Sequence, residues 1–272
     1  MSDMSDRNPQ WFIPLLLAAV AVGGLWYYWS ETSSPVQVVV PIEPSEEIPE
    51  PKSTGPAYPL PDANPETVQP GNLVPLPALV ESDEYFKMDL AGLFGSGVSE
   101  MLVDTAVIEK IVATVDNLPR GHVAEKIRPI SGVVGVYLAD GQDDSGQYTI
   151  NTDNYARYDF LVNLLAGADV EVLVEIYQRY YPLFQEAYTG LGYPGGYFND
   201  RAIAVIDHLL ETPEIQEPVE LVRPHVLYEY ADPDIEALSS GQKILVRMGD
   251  EHAVRVKQFL EELRVLIAAT NP

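Results

Sequence analysis

The stretch Asp169-Val-Glu-Val-Leu-Val-Glu-Ile-Tyr-Gln-Arg-Tyr-Tyr-Pro-Leu-Phe-Gln-Glu-Ala-Tyr188 carries Leu173, Tyr177, Tyr181, Phe184 and Tyr188 at spacings of four, four, three and four. Side chains three and four apart share one face of an α-helix, so the stretch reads as an amphipathic helix with a largely aromatic stripe. Its side-chain oxygen makes Asp169 the N-cap candidate. Pro182 lacks an amide hydrogen and leaves the carbonyl of Gln178 without its partner, which predicts a kink or a break there. The stripe itself is read as core packing.

The same period extends in both directions. Leu102, Ala106, Ile108 and Val112, with Val107, Ile111 and Val115, form a second stripe that stops at Asn117-Leu118-Pro119. Further helices are predicted at about 154–166, 200–210, 233–238 and 241–248. Gly249 is then a C-terminal stop and Asp250 the cap of a last helix, along which Val256, Leu260, Leu263 and Ile267 repeat. Only Val133 to Leu138 and Tyr148 to Ile150 resemble strands, joined by an acidic loop. The expected fold is mainly α, a multi-helix globular domain with a small β-hairpin over residues 79–272.

Upstream the chain changes character. An uncharged apolar run from Trp11 to Trp29 rises about 28 Å as a helix, close to the roughly 30 Å hydrocarbon core of a bilayer. Trp11 marks one rim, and Trp26, Tyr27, Tyr28 and Trp29 mark the other. Residues 11–29 are therefore read as one transmembrane helix. A cleaved signal peptide, with Ala19-Val20-Ala21 as its small-residue site, is the alternative. Arg7 lies before the run and no basic residue follows until Lys52, so residues 1–10 are placed in the cytoplasm and the rest outside. The chain contains no cysteine, which excludes a lipoprotein anchor. Between residues 31 and 80 stand twelve prolines and seven acidic side chains with a single lysine. That composition cannot bury a core, and residues 30–78 are expected to be a disordered, extended linker reaching about 150 Å at most.

Net charge is −25 over the chain, of which −18 falls in residues 81–272. Nucleic-acid binding is excluded as a reading, because phosphate contacts need a basic face. Docking of the acidic domain on anionic lipid is disfavoured for the same reason. The linker then serves to hold it away from the bilayer.

Five stretches stand out as a set: Ala113-Thr-Val-Asp-Asn-Leu-Pro-Arg120, Asn154-Tyr-Ala-Arg-Tyr-Asp159, Tyr181-Pro-Leu-Phe-Gln-Glu-Ala-Tyr188, Gly196-Tyr-Phe-Asn-Asp-Arg201 and Leu221-Val-Arg-Pro224. Together they resemble a bacterial domain family of unknown function whose members have one N-terminal membrane helix and a proline-rich linker. The resemblance covers most of residues 79–272. It implies this architecture and transfers no activity or catalytic residue.

Chemical motifs are sparse. Ser240-Gly-Gln-Lys243 has the Ser-x-x-Lys spacing of serine acyl-transferases, but their Ser-Asp-Asn and Lys-Thr-Gly partners are missing from the domain. His122, His208, His225 and His252 form no i, i+4 pair, so no metal site is assigned and no cofactor is expected. The loop from Asp140 through Asp143 and Asp144 departs from calcium-loop spacing and reads as an acidic turn. Glu175 and Glu186 are carboxylates that a glycosidase could use, without a supporting signature.

The best binding candidate is Gly192-Tyr-Pro-Gly-Gly-Tyr-Phe198 with the following Asn199-Asp-Arg201. There Tyr193 and Tyr197 could offer flat faces to a sugar or peptide and Arg201 a cation to a carboxylate. The competing structural reading makes Asn199 an N-cap with Phe198 and Ile203 as a hydrophobic staple, and it is the favoured one. The functional expectation is a membrane-anchored envelope binding or scaffold protein. It sits in the bacterial inner membrane, and its extracytoplasmic domain engages an envelope protein or cell-wall component without catalysis. The alternatives are a cell-wall-modifying hydrolase and a sensor acting through a membrane partner.

Overall fold

The structure is a computed structural model that describes residues 55–60, 75–130, 132, 136–142 and 146–268. The chain divides into residues 1–52 and 53–272, and everything described belongs to the second unit. The anchor read at 11–29 lies outside the described residues. Among the described residues, no helix is long and apolar enough to cross a membrane.

The domain is mainly helical with one small antiparallel sheet. In chain order it comprises α1 (Asp83–Phe94), α2 (Gly97–Met101), α3 (Val107–Asn117), β1 (Ala139–Gln142), β2 (Gln147–Ile150), α4 (Asp159–Ala166), α5 (Val170–Gly190), α6 (Phe198–Leu210), β3 (Glu220–Val222), β4 (Glu229–Tyr230), α7 (Pro233–Glu236), α8 (Ser240–Arg247) and α9 (Asp250–Ala268).

Helix α5 is the hub, packed by α1, α3, α6 and α9. Asp169 caps it as expected, its Oδ1 accepting from the Val172 amide at 3.1 Å. Of the kink or break predicted at Pro182, the break does not occur, and α5 runs unbroken from Val170 to Gly190. The reason is placement. Pro182 lies on the exposed face, where water can satisfy the Gln178 carbonyl, while its neighbours Tyr180, Leu183 and Phe184 are buried and keep the segment packed on the core. Phe184 and Tyr188 of the aromatic stripe are buried, and Tyr177 and Tyr181 are half-buried against the same core. The stripe is core, as expected. Tyr180, 0 % exposed, meets Phe86 of α1 edge-on at 5.0 Å, and its hydroxyl donates to Asp89 at 2.9 Å.

The stripe that begins at Leu102 is not one helix. Residues 97–101 form α2, Leu102 bridges to Ile130, and α3 starts only at Val107. Ala106 sits before α3 at φ 58°, a left-handed conformation that costs an L-residue roughly 1 kcal/mol or more. A carboxylate from another helix holds it there: Asp83 of α1 accepts from the Ala106 and Val107 amides, each at 2.8 Å. Because glycine adopts this conformation without a steric penalty, Ala106→Gly is expected to stabilise the fold by about 0.5–1 kcal/mol. A urea midpoint that falls in the variant contradicts this account.

The expected hairpin is part of a four-stranded antiparallel sheet in the order β1-β2-β3-β4. Its first strand is residues 139–142, and Ala139 pairs with Ile150 and Gln142 with Gln147. Of the strand expected at 133–138, residues 133–135 lie outside the described residues. Residues 136–138 precede the ladder, with Val136 and Leu138 exposed. Strands β3 and β4 are too short for an alternating pattern to show. Leu221 is paired with Tyr148 and with Tyr230, and all three are buried in a satellite core.

Toward the C-terminus, Ser239 and Gln242 form a capping box that starts α8. Gly249 then turns the chain at φ 80°, and a Cβ there would lie 2.8 Å from the Tyr155 ring, so glycine is required twice over. Asp250 is the first residue of α9 and not a cap before it. The helix predicted at 154–166 is split into a 3-10 segment, Thr152–Tyr158, and α4.

One result concerns the stretch read as linker. Within it, Tyr58 and Leu60 pack on the cluster of Val174, Ile203, Ile206 and Ile267. The Ala57 and Tyr58 amides donate to the two carboxylate oxygens of Asp200 at 2.9 and 2.8 Å.

Candidate functional site

The loop between α5 and α6 was singled out for Tyr193 and Tyr197, and the structure builds it around a buried carboxylate that lies elsewhere in the chain. Asp116, near the end of α3, is 4 % exposed. Its Oδ1 accepts from Arg201 Nε at 3.0 Å, and its backbone carbonyl accepts from Arg201 Nη2 at 2.7 Å. Its Oδ2 accepts from Arg120 Nη2 at 2.9 Å and from the Tyr193 hydroxyl at 3.3 Å. Arg120 also donates to the Tyr193 hydroxyl at 3.3 Å. Buried charges persist only when paired and hydrogen-bonded, and this one has both.

Arg201 therefore points inward. Its side chain is 18 % exposed and already engages a carboxylate of its own chain, whereas Arg120, 55 % exposed, is the cation at the rim. Tyr193 stacks on Tyr188 at 4.8 Å with the rings 20° apart. Gly196 permits this, because a Cβ there would stand 3.0 Å from Tyr188. Burial, then the nearby Asp116 charge, pushes the Tyr188 hydroxyl up to about 12, so it stays neutral at physiological pH.

Tyr197, half-buried, precedes α6 as its N-cap residue and contributes no side-chain cap. The staple reading is thereby corrected, since Asn199 lies inside the helix. The first amide is satisfied from a distance: Gln185 of α5 accepts from the Phe198 amide at 2.9 Å and donates to the Gly196 carbonyl at 2.8 Å. A tertiary cap displaced the local one. Asn199, freed from capping, is fully buried; its Nδ2 donates to the carbonyls of Tyr58 and Ile267, and its Oδ1 accepts from the Tyr177 hydroxyl.

Three of the quoted stretches thus meet at one place, through Asp116 and Arg120, Gln185 and Tyr188, and Gly196 to Arg201. Sequence reasoning missed Asp116, Arg120 and Gln185. The quoted stretches contained them, but nothing in linear spacing showed that they converge.

The remaining chemical candidates are placed as follows. Lys243 is paired with Glu236 and lies over the Tyr230 ring, so its amine is committed away from serine chemistry. Glu236 is held below the usual carboxylate range: burial opposes this, but hydrogen bonds from Lys243 and the Tyr230 amide prevail. A carboxylate lowered on folding adds stability above its unfolded value and loses it as pH falls through the folded one. Glu236→Gln is accordingly expected to destabilise at pH 6, by an amount that shrinks as the pH is lowered below the ordinary carboxylate range, in urea titrations. A gap that stays equal as the pH falls contradicts it.

His208 Nε2 lies 2.8 Å from Ser239 Oγ, a serine–histidine contact. The hydroxyl is buried, however, and caps α8 by accepting from the Gln242 amide. His252 lies 2.9 Å from Asp159, while His122 and His225 are exposed. Glu175 and Glu186 are exposed on α5, and Asp140 lies in β1, accepting from Asn151. The acidic residues 143–144 lie outside the described residues.

Two cavities lie away from the loop. One of about 220 Å³ is lined by Thr212, Glu214, Leu245, Asp250 and Lys257, and one of about 380 Å³ by Tyr155, Glu217, Gly249, Asp250 and His252. Burial, then Glu217 and Glu214, raises Asp250 above the normal range. Among the described residues, no group of three histidine, cysteine or carboxylate side chains is arranged to hold a metal ion.

Residues 107–264 match the family described as "Protein of unknown function (DUF3014)", and the chain belongs to that family. The matched span includes Asp116, Arg120, Tyr193, Tyr197 and Arg201. No curated protein and no solved structure matches the chain.

Proposed function

Starting from membership of a family of unknown function, we propose that this chain is a single-pass envelope protein. Its helical domain recognises another envelope component, a protein or a wall polymer, through the α5–α6 loop and the rim residue Arg120. Residues 11–29 anchor it in an inner membrane with residues 1–10 in the cytoplasm, and the acidic domain acts outside. The role is binding and scaffolding and not bond cleavage.

The observation that carries this reading is the internal pairing of the site. Asp116 ties Arg201, Arg120 and Tyr193 into one network, so the loop is held as a preformed surface with its charges already neutralised inside. Preorganised aromatic and arginine groups lower the entropic cost of recognition. A reactive centre needs the opposite arrangement, a nucleophile or base left competent toward substrate.

A photo-crosslinking residue placed at Tyr197 in cells is expected to capture a reproducible envelope partner, and one placed at the exposed Glu171 on α5 is not. Capture from neither site, or equally from both, overturns the reading.

A further inference from the structure

In residues 31–80 there is a single aromatic side chain, Tyr58, and it is the one seated on the domain. The segment Gly55-Pro-Ala-Tyr-Pro-Leu60 meets α6 and α9 by two kinds of contact. Its backbone is read by a fork: the carboxylate of Asp200 accepts from two successive amides, and Asn199 Nδ2 donates to the Tyr58 carbonyl at 2.8 Å. Its side chains are read by an apolar face, where Tyr58 and Leu60 pack against the cluster of Val174, Ile203, Ile206 and Ile267. The backbone bends at Ala57 and Tyr58, which brings both amides onto one carboxylate, and Pro56 and Pro59 fix φ on either side of that bend, so less conformational entropy is lost on docking.

We infer that the Asn199–Asp200 end of α6, with the adjoining face of α9, is a binding site for a bent, proline-flanked tyrosine-proline-leucine segment, and that its occupant is the chain's own Gly55–Leu60, strapped down in cis. The geometry of the chain permits this. Leu76 and Leu79 pack on the main core, so residues 61–74 join two points of one domain, and fully extended they reach about 50 Å, more than a domain of this size requires.

The strap resets the tether. Counted from the anchor read at 11–29, the residues between anchor and strap fall to those of 30–54, whose chain length sets an upper limit of about 80 Å in place of about 150 Å. Residues 61–74 then contribute nothing to reach.

Hydrogen–deuterium exchange on the full chain in detergent micelles tests the strap independently of any anchor or partner. The Ala57 and Tyr58 amides are expected to exchange at least about 10-fold more slowly than in a free peptide of residues 53–62. Tyr58→Ala with Leu60→Ala, which alters only the strap, is expected to bring them to the peptide rate while the α6 amides stay protected. Peptide-like exchange in the parent chain overturns the inference, as does equal protection in the variant. Protection that disappears on dilution also overturns it, since the occupant is then a second copy.

Discussion

Asp116→Ala is expected to lower the unfolding free energy by about 3–5 kcal/mol, because removing one partner strands buried charge on the other. Arg201 is mostly buried and has its Nε on the lost carboxylate, and Arg120 and Tyr193 lose the same acceptor. The main-chain bond from Arg201 to the Asp116 carbonyl survives the substitution, which places the expected value toward the lower end of that range. The control is the pair Asp116→Ala with Arg201→Met, which removes both charges and is expected to recover part of the loss. Denaturant midpoints at constant m-value measure both. A single-variant loss under about 1 kcal/mol would falsify the view that Asp116 organises the loop.

The second large effect is expected at Asn199, which is 0 % exposed and joins three separated parts of the chain: Tyr58 of the strap, Tyr177 of α5 and Ile267 near the end of α9. Alanine leaves two carbonyls and a hydroxyl without a partner, each costing about 1–3 kcal/mol when it stays buried. Water can enter beside the half-buried strap, so about 3 kcal/mol is the expected total. Asn199→Asp is expected to be worse, since a carboxylate can donate to neither carbonyl and brings a charge beside Asp200. If Asn199→Asp matches the parent in urea unfolding, the side chain is not the clamp described above.

These two residues mark where linear reading stopped. Helix periodicity located α5 and its cap, α6, α8 and α9 to within a few residues, because the apolar stripe that makes a helix stable is local information. Boundaries failed where a distant group supplied the cap. Asp83 starts α3 at Val107, and Gln185 starts α6 at Phe198, so neither start carries the local residues that usually mark one. Whether Pro182 breaks its helix is likewise not local, since the penalty depends on which face of the helix meets water. In the candidate site, Tyr193 and Tyr197 were visible as loop aromatics. Asp116 was one of thirty-two acidic residues in the domain, and spacing could not single it out.

By itself the sequence determined a mainly helical acidic domain and an apolar run and proline-rich stretch before it. Each follows from composition or from a period of a few residues. Tertiary structure alone decided that Arg201 faces inward, that Asp116 gathers the loop, that the hairpin is half of a four-stranded sheet and that Tyr58 returns to the domain. Each of these rests on pairing a polar or apolar group with one far along the chain. The physical reason is burial: what a charge or an amide costs is set by the partner that folding brings to it.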